Sequence, residues 1–251
     1  MLLSVFKDLR EMYPCYGTQS LIDELPKELK CSYGKAYKLL RVHNLLCFKK
    51  RKPHGNTRSD KNKTSAKDLV NRDFYADNPG VKLFSDVTEV HCADGKLYCC
   101  EIMDAFDGAI VGLSIENNMK SEMCEAALIQ AKSSFNIPPG CVIHTDHGSQ
   151  YTSNLYSKTA LKLGFIQSMG AVGSCADNAR IESFHSTLKR ELIYRTPCSK
   201  MTRKEVKNLV WEWIQTEYNF NRRNTANERK MPPLLKRELY YWADKTLDYV
   251  A

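Results

Sequence analysis

The spacing of apolar residues changes along the chain, and each change marks a different kind of element. In residues 1–46 apolar side chains recur three or four positions apart, which predicts three short helices. Pro14 ends the first helix, and Pro26 ends or kinks the second. Ser32 has the residue type and position of an N-cap for the third helix. The chain therefore begins with a small all-α region.

Residues 82–169 predict a mixed sheet instead. Strand-like segments near 82–90, 97–105 and 109–115 are followed by a helix from Ser121, a strand at 141–146, a helix at 155–163 and a strand at 165–169. A long helix then runs from a candidate N-cap, Asp177, to Leu192, and the residues after Pro197 are again helical. This order of elements predicts an α/β fold in which helices flank the sheet.

The net charge of +8 is unevenly distributed. Residues 1–72 carry +9, residues 73–175 carry −6 and residues 176–251 carry +5. An acidic middle between basic flanks suits a carboxylate-lined metal centre with arms that bind a polyanion. Basic flanks that are simply solvated helix faces would give the same charges, so the charge pattern alone leaves both interpretations open.

Composition excludes several other classes of protein. The ten cysteines contain no C-x-x-C pair and form no Cys/His cluster with zinc spacing, which favours reduced, structural thiols. No apolar run approaches the roughly 20 residues that span a bilayer. The first residues meet Lys7, Asp8 and Arg10 too early for a secretory signal. We therefore expect a cytoplasmic protein that does not act at a membrane.

Two acidic residues lie off the apolar pattern at positions that suit chemistry. Asp146 ends a predicted strand, and Glu182 lies in the first turns of the long helix, with 35 residues between them. A turn residue and a carboxylate placed near a helix N-terminus explain the same two positions without any catalytic role. The spacing of this pair does not decide between the two interpretations.

The motifs around these acids resemble those of a known family. HTDHGSQY followed by ADNARIESFHSTLKREL is similar to the catalytic core of bacterial insertion-sequence transposases, and more closely to the second-frame (orfB-type) product of the insertion sequence 3 family, whose DDE core resembles retroviral integrase. That family has an aspartate, a second aspartate and a glutamate 35 residues beyond the second. The matching residues are Asp86, within LFSDVTEV, Asp146 and Glu182.

The resemblance implies a fold, a reaction and a cofactor. The fold is a ribonuclease-H-like mixed sheet, and the reaction is metal-dependent DNA cleavage and strand transfer. Two Mg²⁺ or Mn²⁺ ions are implied, one shared by Asp86 and Asp146 and the second held with the help of Glu182. Three convergent carboxylates suit these ions, because magnesium takes oxygen ligands and keeps several waters. Asp86, Asp146 and Glu182 are therefore our candidate catalytic and metal-binding residues.

The sequence leaves the roles of other residues near the three acids open. Asn178 belongs to a segment that resembles the family's DN pair, and it either supports Glu182 or only caps the helix. Asp104 matches a family aspartate that is not one of the three catalytic acids, and a role as an extra ligand stays open. For the histidines close to the acids (His144, His147 and His185) we expect neutral, hydrogen-bonded side chains rather than zinc ligands.

Basic residues outside the sheet are candidate DNA contacts. The second and third N-terminal helices resemble a helix-turn-helix, whose second helix enters the major groove, and a plain three-helix bundle is the alternative. A lysine seven residues after Glu182 matches the basic position of integrase-type cores that contacts the DNA end, and a solvated helix lysine is the alternative there. The predicted DNA-binding residues are Lys35, Lys38, Arg41, Lys49, Lys50, Arg51, Lys52 and Lys189.

These assignments predict four regions and a set of partners. The regions are a helix-turn-helix-like region (1–55), a basic linker (56–78), an integrase-type core (79–197) and a helical C-terminal extension (198–251). The resemblance implies that the chain acts on transposon ends and target DNA as a nucleoid-associated homo-oligomer, fused to or acting with an upstream first-frame product. A ribonuclease-H-type nuclease and a non-catalytic DNA-binding descendant are the alternative functions.

Overall fold

The structure, a computed structural model, describes residues 1–47, 66–170 and 178–247. These residues divide into two units, one formed by residues 1–47 with 189–191 and the other by residues 66–170, 178–188 and 192–247. Each unit has a hydrophobic core of its own. The candidate N-cap Asp177 lies outside the described residues.

The first unit contains the three predicted N-terminal helices. They are α1 (Leu2–Met12), α2 (Thr18–Glu24) and α3 (Tyr33–Val42), with a 3₁₀ turn at Lys27–Leu29. The second helix ends before Pro26, and the Ser32 side chain accepts a hydrogen bond from the backbone N–H of Lys35, as an N-cap does. The chain between α2 and α3 is longer than the three- or four-residue turn of a standard helix-turn-helix.

The second unit is built on one five-stranded sheet. Its strands are β1 (Lys82–Cys92), β2 (Gly95–Asp104), β3 (Ile110–Glu116), β4 (Val142–Thr145) and β5 (Ile166–Met169). They lie in the order β3-β2-β1-β4-β5, with β1, β2 and β3 antiparallel and with β4 and β5 parallel to β1. The mixed α/β sheet predicted from the sequence is confirmed.

Helices cover both faces of this sheet. Consecutive residues of a strand point to opposite faces, so Leu83 packs in one core and Phe84 in the other. The first core includes α4 (Ser121–Ser134) and α5 (Asn154–Lys162), and the second includes α6 (Ala179–Leu188), α7 (Arg203–Glu212) and the π-helical segments that follow them, Lys189–Ile193 and Trp213–Asn221. The last helix is α8 (Pro233–Leu247).

The C-terminal residues are part of the second unit rather than an appendage. Asn219 exchanges two hydrogen bonds with the backbone of Ile110 at the start of β3, which is an edge strand. Arg237 on α8 reaches buried carboxylates at the end of β2. Within the described ranges, no helix combines the length and the apolar character that crossing a bilayer requires, and the nine described cysteines are free thiols.

Candidate active site

The strands that carry the two aspartates lie side by side and run in the same direction. β1 pairs with β4 in parallel, and the last paired residues are Phe84 and His144. Continuing that register by two residues places Asp86 level with Asp146, the first residue after β4. Both side chains are half-buried. The fold thus brings together two carboxylates that are 60 positions apart in the chain. Their proximity follows from the parallel register of β1 and β4.

The environment of Asp86 disfavours its negative charge. The pKa of Asp86 is raised to about 6, mainly by burial and in smaller part by the nearby charge of Asp146, while His185 acts in the opposite direction. One oxygen, Oδ1, accepts a hydrogen bond of 2.8 Å from the backbone N–H of Val87. Two carboxylates that face each other without a cation repel, and a bound cation would relieve that repulsion.

The loop after β4 fixes Asp146 by a close backbone approach. Asp146 Oδ1 accepts a hydrogen bond of 2.9 Å from the backbone N–H of Gly148. A Cβ atom at Gly148 would lie 2.6 Å from Gln150 Nε2 and 2.9 Å from Asp146 Oδ1, so a larger residue would disturb the loop. At the end of the loop Tyr151 is fully buried, and its hydroxyl lies 2.9 Å from Ser85 Oγ, next to Asp86.

Glu182 lies in the first turn of α6, half-exposed. The start of this helix is tied to β1, because the buried Asn178 side chain donates a hydrogen bond of 3.0 Å to the backbone carbonyl of Ser85. Among residues 1–47, 66–170 and 178–247, no three His, Cys, Asp or Glu side chains are arranged to hold a metal ion. The strand register therefore brings Asp86 and Asp146 together, and the place of Glu182 in the same site stays a prediction.

One pair of residues at this site was not identified from the sequence. His185, one helical turn after Glu182, has its Nε2 atom 2.9 Å from Glu101 Oε2 and its Nδ1 atom 3.5 Å from Asp86 Oδ2. Glu101 is fully buried on β2, where it is the register partner of Asp86. An acidic residue within an otherwise apolar strand was the available signal for it.

The Asp104 carboxylate is engaged by partners other than a metal ion. Its carboxylate accepts hydrogen bonds from the backbone N–H groups of Gly80 and Phe106 and lies 2.6 Å from Arg237 Nη2. Arg237 also lies 2.7 Å from Asp107 Oδ2. Asp104 and Asp107 are both fully buried and form a structural ion-pair cluster with Arg237, so we assign Asp104 no role as a metal ligand.

The predicted DNA-binding residues fall into three groups. The α3 residues Lys35, Lys38 and Arg41 are exposed. Lys189 is half-buried at the start of the π-helical segment after α6 and is grouped with the first unit. The basic run lies outside the described residues and comprises Lys49, Lys50, Arg51 and Lys52.

Comparison with known proteins identifies the family. Two models described as "Integrase core domain" match residues 76–175 and 163–232. The chain is 32% identical over 227 residues to the putative transposase InsK of insertion sequence element IS150 from Escherichia coli (strain K12), covering 90% of this chain and 78% of that protein. The chain belongs to the insertion sequence 3 family of transposases.

A second relative supports the same assignment. The transposase of insertion sequence element IS904 from Lactococcus lactis subsp. lactis (strain IL1403) is 36% identical over 168 residues, which are 67% of this chain and 66% of that protein. Both relatives are transposases by name, and the alignment with InsK extends well beyond the catalytic motifs. The family resemblance of the motifs is confirmed.

A solved structure supports the fold of this transposase. The simian T-cell lymphotropic virus intasome, determined by cryo-electron microscopy in complex with PP2A regulatory subunit B56 gamma, matches with a TM-score of 0.51 and 15% sequence identity. The match covers 87% of this chain and 70% of that chain. The ribonuclease-H-like fold expected from the motifs is confirmed, while the roles of individual residues have to be argued from the site itself.

Proposed function

We propose that this transposase joins a transposon-end 3′-hydroxyl to a target phosphodiester, and that Asp86, Asp146 and Glu182 hold the divalent ions for this reaction. The observation that carries the proposal is the register of β1 and β4, which places Asp86, within β1, level with Asp146, the first residue after β4. Glu182 belongs to the same site because it precedes His185 by one turn on the same helix face, and His185 lies 3.5 Å from Asp86.

The donor set fits magnesium or manganese. Both ions take carboxylate oxygens, and magnesium keeps several of its waters, so a few carboxylates are enough. Burial raises the pKa of Asp86 to about 6, and a cation bound there would favour the ionised carboxylate at neutral pH. We assign one ion to Asp86 and Asp146 and a second to a site that includes Glu182.

The protein's contribution to the reaction is alignment. Divalent ions held by Asp86, Asp146 and Glu182 would supply activation of the attacking oxygen and stabilisation of the leaving oxygen. The 3′-oxygen attacks the target phosphorus, a new P–O bond forms, and the bond to the target 3′-oxygen breaks on the opposite side. Asp86 and Asp146 are level in the register of β1 and β4, and Glu182 lies on α6, whose start is bonded to β1 through Asn178; we propose that the three carboxylates converge when the ions bind.

The N-terminal helices supply the proposed DNA-binding surface. Lys35, Lys38 and Arg41 are exposed on α3, as are Tyr33 and Tyr37, whose rings stack 6.0 Å apart. We assign this face to the major groove of the transposon end. Lys189 is assigned to a phosphate near the reacting end, and the basic run Lys49, Lys50, Arg51 and Lys52 to phosphates next to it.

The remaining assignments concern partners and location. We infer that the active species is a homo-oligomer on DNA, because each event joins transposon ends to target DNA. An upstream first-frame product as a partner, and a nucleoid-associated position in the bacterial cytoplasm, follow from the family resemblance alone and stay predictions.

A strand-transfer assay tests the reaction. A labelled duplex carrying one end of the element is incubated with supercoiled target DNA and Mg²⁺, and the joined product is separated from cleaved strands. We expect a joined product that disappears when the terminal base pairs are altered. A ribonuclease-H-type nuclease would instead cut RNA–DNA hybrids without joining. Specific end binding with no phosphodiester cleavage under any metal condition would indicate a non-catalytic descendant.

Single-lysine variants test the α3 surface. The logarithm of DNA affinity falls linearly with the logarithm of salt concentration, with a slope near −0.9 per phosphate contacted. Lys38→Ala should reduce that slope by roughly 1. Lys7→Ala is the matched control, since it removes the same charge from an exposed position on α1. Equal slopes for the two variants would contradict the assignment and favour a plain helical bundle.

A further inference from the structure

Glu101 is a buried carboxylate in a strand that is covered on both faces. It lies on β2 opposite Asp86 and is fully buried. A carboxylate without solvent contact is costly unless it is paired and hydrogen-bonded. Its partner is His185 on α6, at 2.9 Å between Nε2 and Oε2. The pair joins the central sheet to the helix that carries Glu182.

The Glu101 contact fixes the direction of the imidazole ring. With Nε2 directed at Glu101, the other ring nitrogen, Nδ1, faces Asp86 Oδ2 at 3.5 Å, and the His185 side chain is only 10% exposed. The imidazole ring therefore lies between the Glu101 and Asp86 carboxylates.

These contacts restrain both oxygens of Asp86. Oδ1 accepts a hydrogen bond from the N–H of Val87, and Oδ2 lies against His185. We propose that His185 and Glu101 are positioning residues that hold the Asp86 carboxylate in the orientation that binds the divalent ion. This inference rests on the proposed function, since it concerns the same metal site, and it assigns neither residue a direct contact with metal or DNA.

Mn²⁺ binding without DNA tests the inference independently of catalysis. The full chain is titrated with Mn²⁺, and the free ion is measured by its electron paramagnetic resonance signal. Residues that orient a metal ligand typically contribute a factor of about 10 to 100 in affinity, so His185→Leu should raise the dissociation constant by that factor. His185→Gln should recover part of the loss, because its amide N–H can still donate to Asp86.

A second buried histidine provides the matched control. His144 is also almost fully buried in the same unit, but its Nδ1 atom lies 2.9 Å from Ser168 Oγ instead of facing Asp86. We expect His144→Leu to lower the melting temperature while Mn²⁺ affinity stays at the wild-type value. If both leucine variants lose affinity in proportion to their loss of stability, the effect of His185 is only structural and the proposal is wrong.

Glu101→Gln completes the test. If Glu101 acts through His185, this substitution weakens Mn²⁺ binding in the wild-type background and adds nothing in the His185→Gln background. Glu101→Gln and His185→Gln both keep approximately the size of the native side chain. This double-mutant cycle therefore remains informative even if His185→Leu fails to fold.

Asp86→Asn separates the two possible failures. If it weakens Mn²⁺ binding while Glu101→Gln and His185→Gln bind as the wild type does, the metal site stands and the positioning role is wrong. Wild-type affinity in Asp86→Asn itself would overturn the metal site and the positioning role together.

Discussion

Two pairs of carboxylates in the same unit differ in how their charge is balanced. Asp104 and Asp107 lie against the guanidinium of Arg237, at 2.6 and 2.7 Å. Asp86, within β1, and Asp146, just after β4, lie level in the parallel register of these strands, and His185 Nδ1 lies 3.5 Å from Asp86 Oδ2. Burial raises the pKa of both Asp86 and Asp104 to about 6. A raised pKa is therefore common to one member of each group and does not distinguish the two groups.

The source of the cation is the difference that matters. Arg237 is a permanent cation on α8, so Asp104 and Asp107 are committed to holding the C-terminal helix on the sheet. Among residues 1–47, 66–170 and 178–247, no lysine or arginine forms an ion pair with Asp86 or Asp146, so we expect these carboxylates to accept a divalent ion from solution. The same residue type thus has a structural role in one place and the proposed catalytic role in the other.

The largest expected effect comes from the same substitution made in both groups. Asp146→Asn removes a proposed ligand, so strand transfer should fall by at least about a thousandfold, or about 4 kcal/mol, while DNA binding is retained. Asp107→Asn should lower stability but leave the rate per folded molecule near the wild-type value. The joined product and the melting temperature are measured for both variants. Wild-type joining by Asp146→Asn would remove that residue from the site.

The second prediction breaks the internally balanced group. Arg237→Met leaves Asp104 and Asp107 buried without their cation and should lower the free energy of unfolding by about 3 kcal/mol. Chemical denaturation measures it, with Lys204→Met, an exposed position on α7, as the control. A loss no larger than that of the control would mean that the ion pairs do not hold α8 in place.

The third prediction is a substitution that raises the free energy of unfolding instead of lowering it. The pKa of Asp86 is 3.8 ordinarily and about 6 in the folded protein, so the native state keeps this proton to higher pH than the unfolded chain does. The contribution of Asp86 to stability therefore decreases between about pH 4 and pH 6 and stays at the lower value above that range. Without metal, Asp86→Asn should stabilise the protein by about 1–3 kcal/mol at pH 7 and by little at pH 4.

Unfolding free energies measured at a series of pH values in EDTA check this prediction. Destabilisation by Asp86→Asn at pH 7 would mean that the carboxylate is already neutralised within the fold, as Asp104 is by Arg237. The distinction between the two groups would then be lost.

The smallest expected effect concerns metal-linked stability. An ion that binds only the folded state adds about 2.7 kcal/mol when its concentration is a hundred times its dissociation constant. Mn²⁺ should therefore raise the melting temperature of the wild type and of Asp107→Asn, but not that of Asp86→Asn. Equal shifts in all three proteins would place the bound metal elsewhere.

Local sequence patterns were enough to predict most of the elements. Ser32 caps α3 and the chain turns at Pro26 because both effects act within a few residues. The α/β order followed from short apolar runs. The pairing of Asp86 with Asp146 depends instead on which strands are neighbours, and the periodicity of the chain does not determine that. The family motifs supplied this assignment.

The contacts that the sequence did not predict are all long-range. Glu101 meets His185 across 84 positions, and Arg237 meets Asp104 across 133. For Glu101 the local signal was an acid within an apolar strand. For Arg237 it was the start of its helix, α8, at Pro233, since proline is favoured at the first helical position. Neither signal names a partner, since burial of these residues depends on elements far away in the chain.

A change of metal specificity tests the central claim most directly. Magnesium takes oxygen ligands, whereas Mn²⁺ tolerates a thiolate better. Asp146→Cys should therefore join no DNA with Mg²⁺ and recover measurable joining with Mn²⁺, while Asp146→Ala stays inactive with both ions. That result requires the side chain at position 146 to contact the ion during strand transfer. Equal activity of the cysteine and alanine variants with each ion would contradict the account.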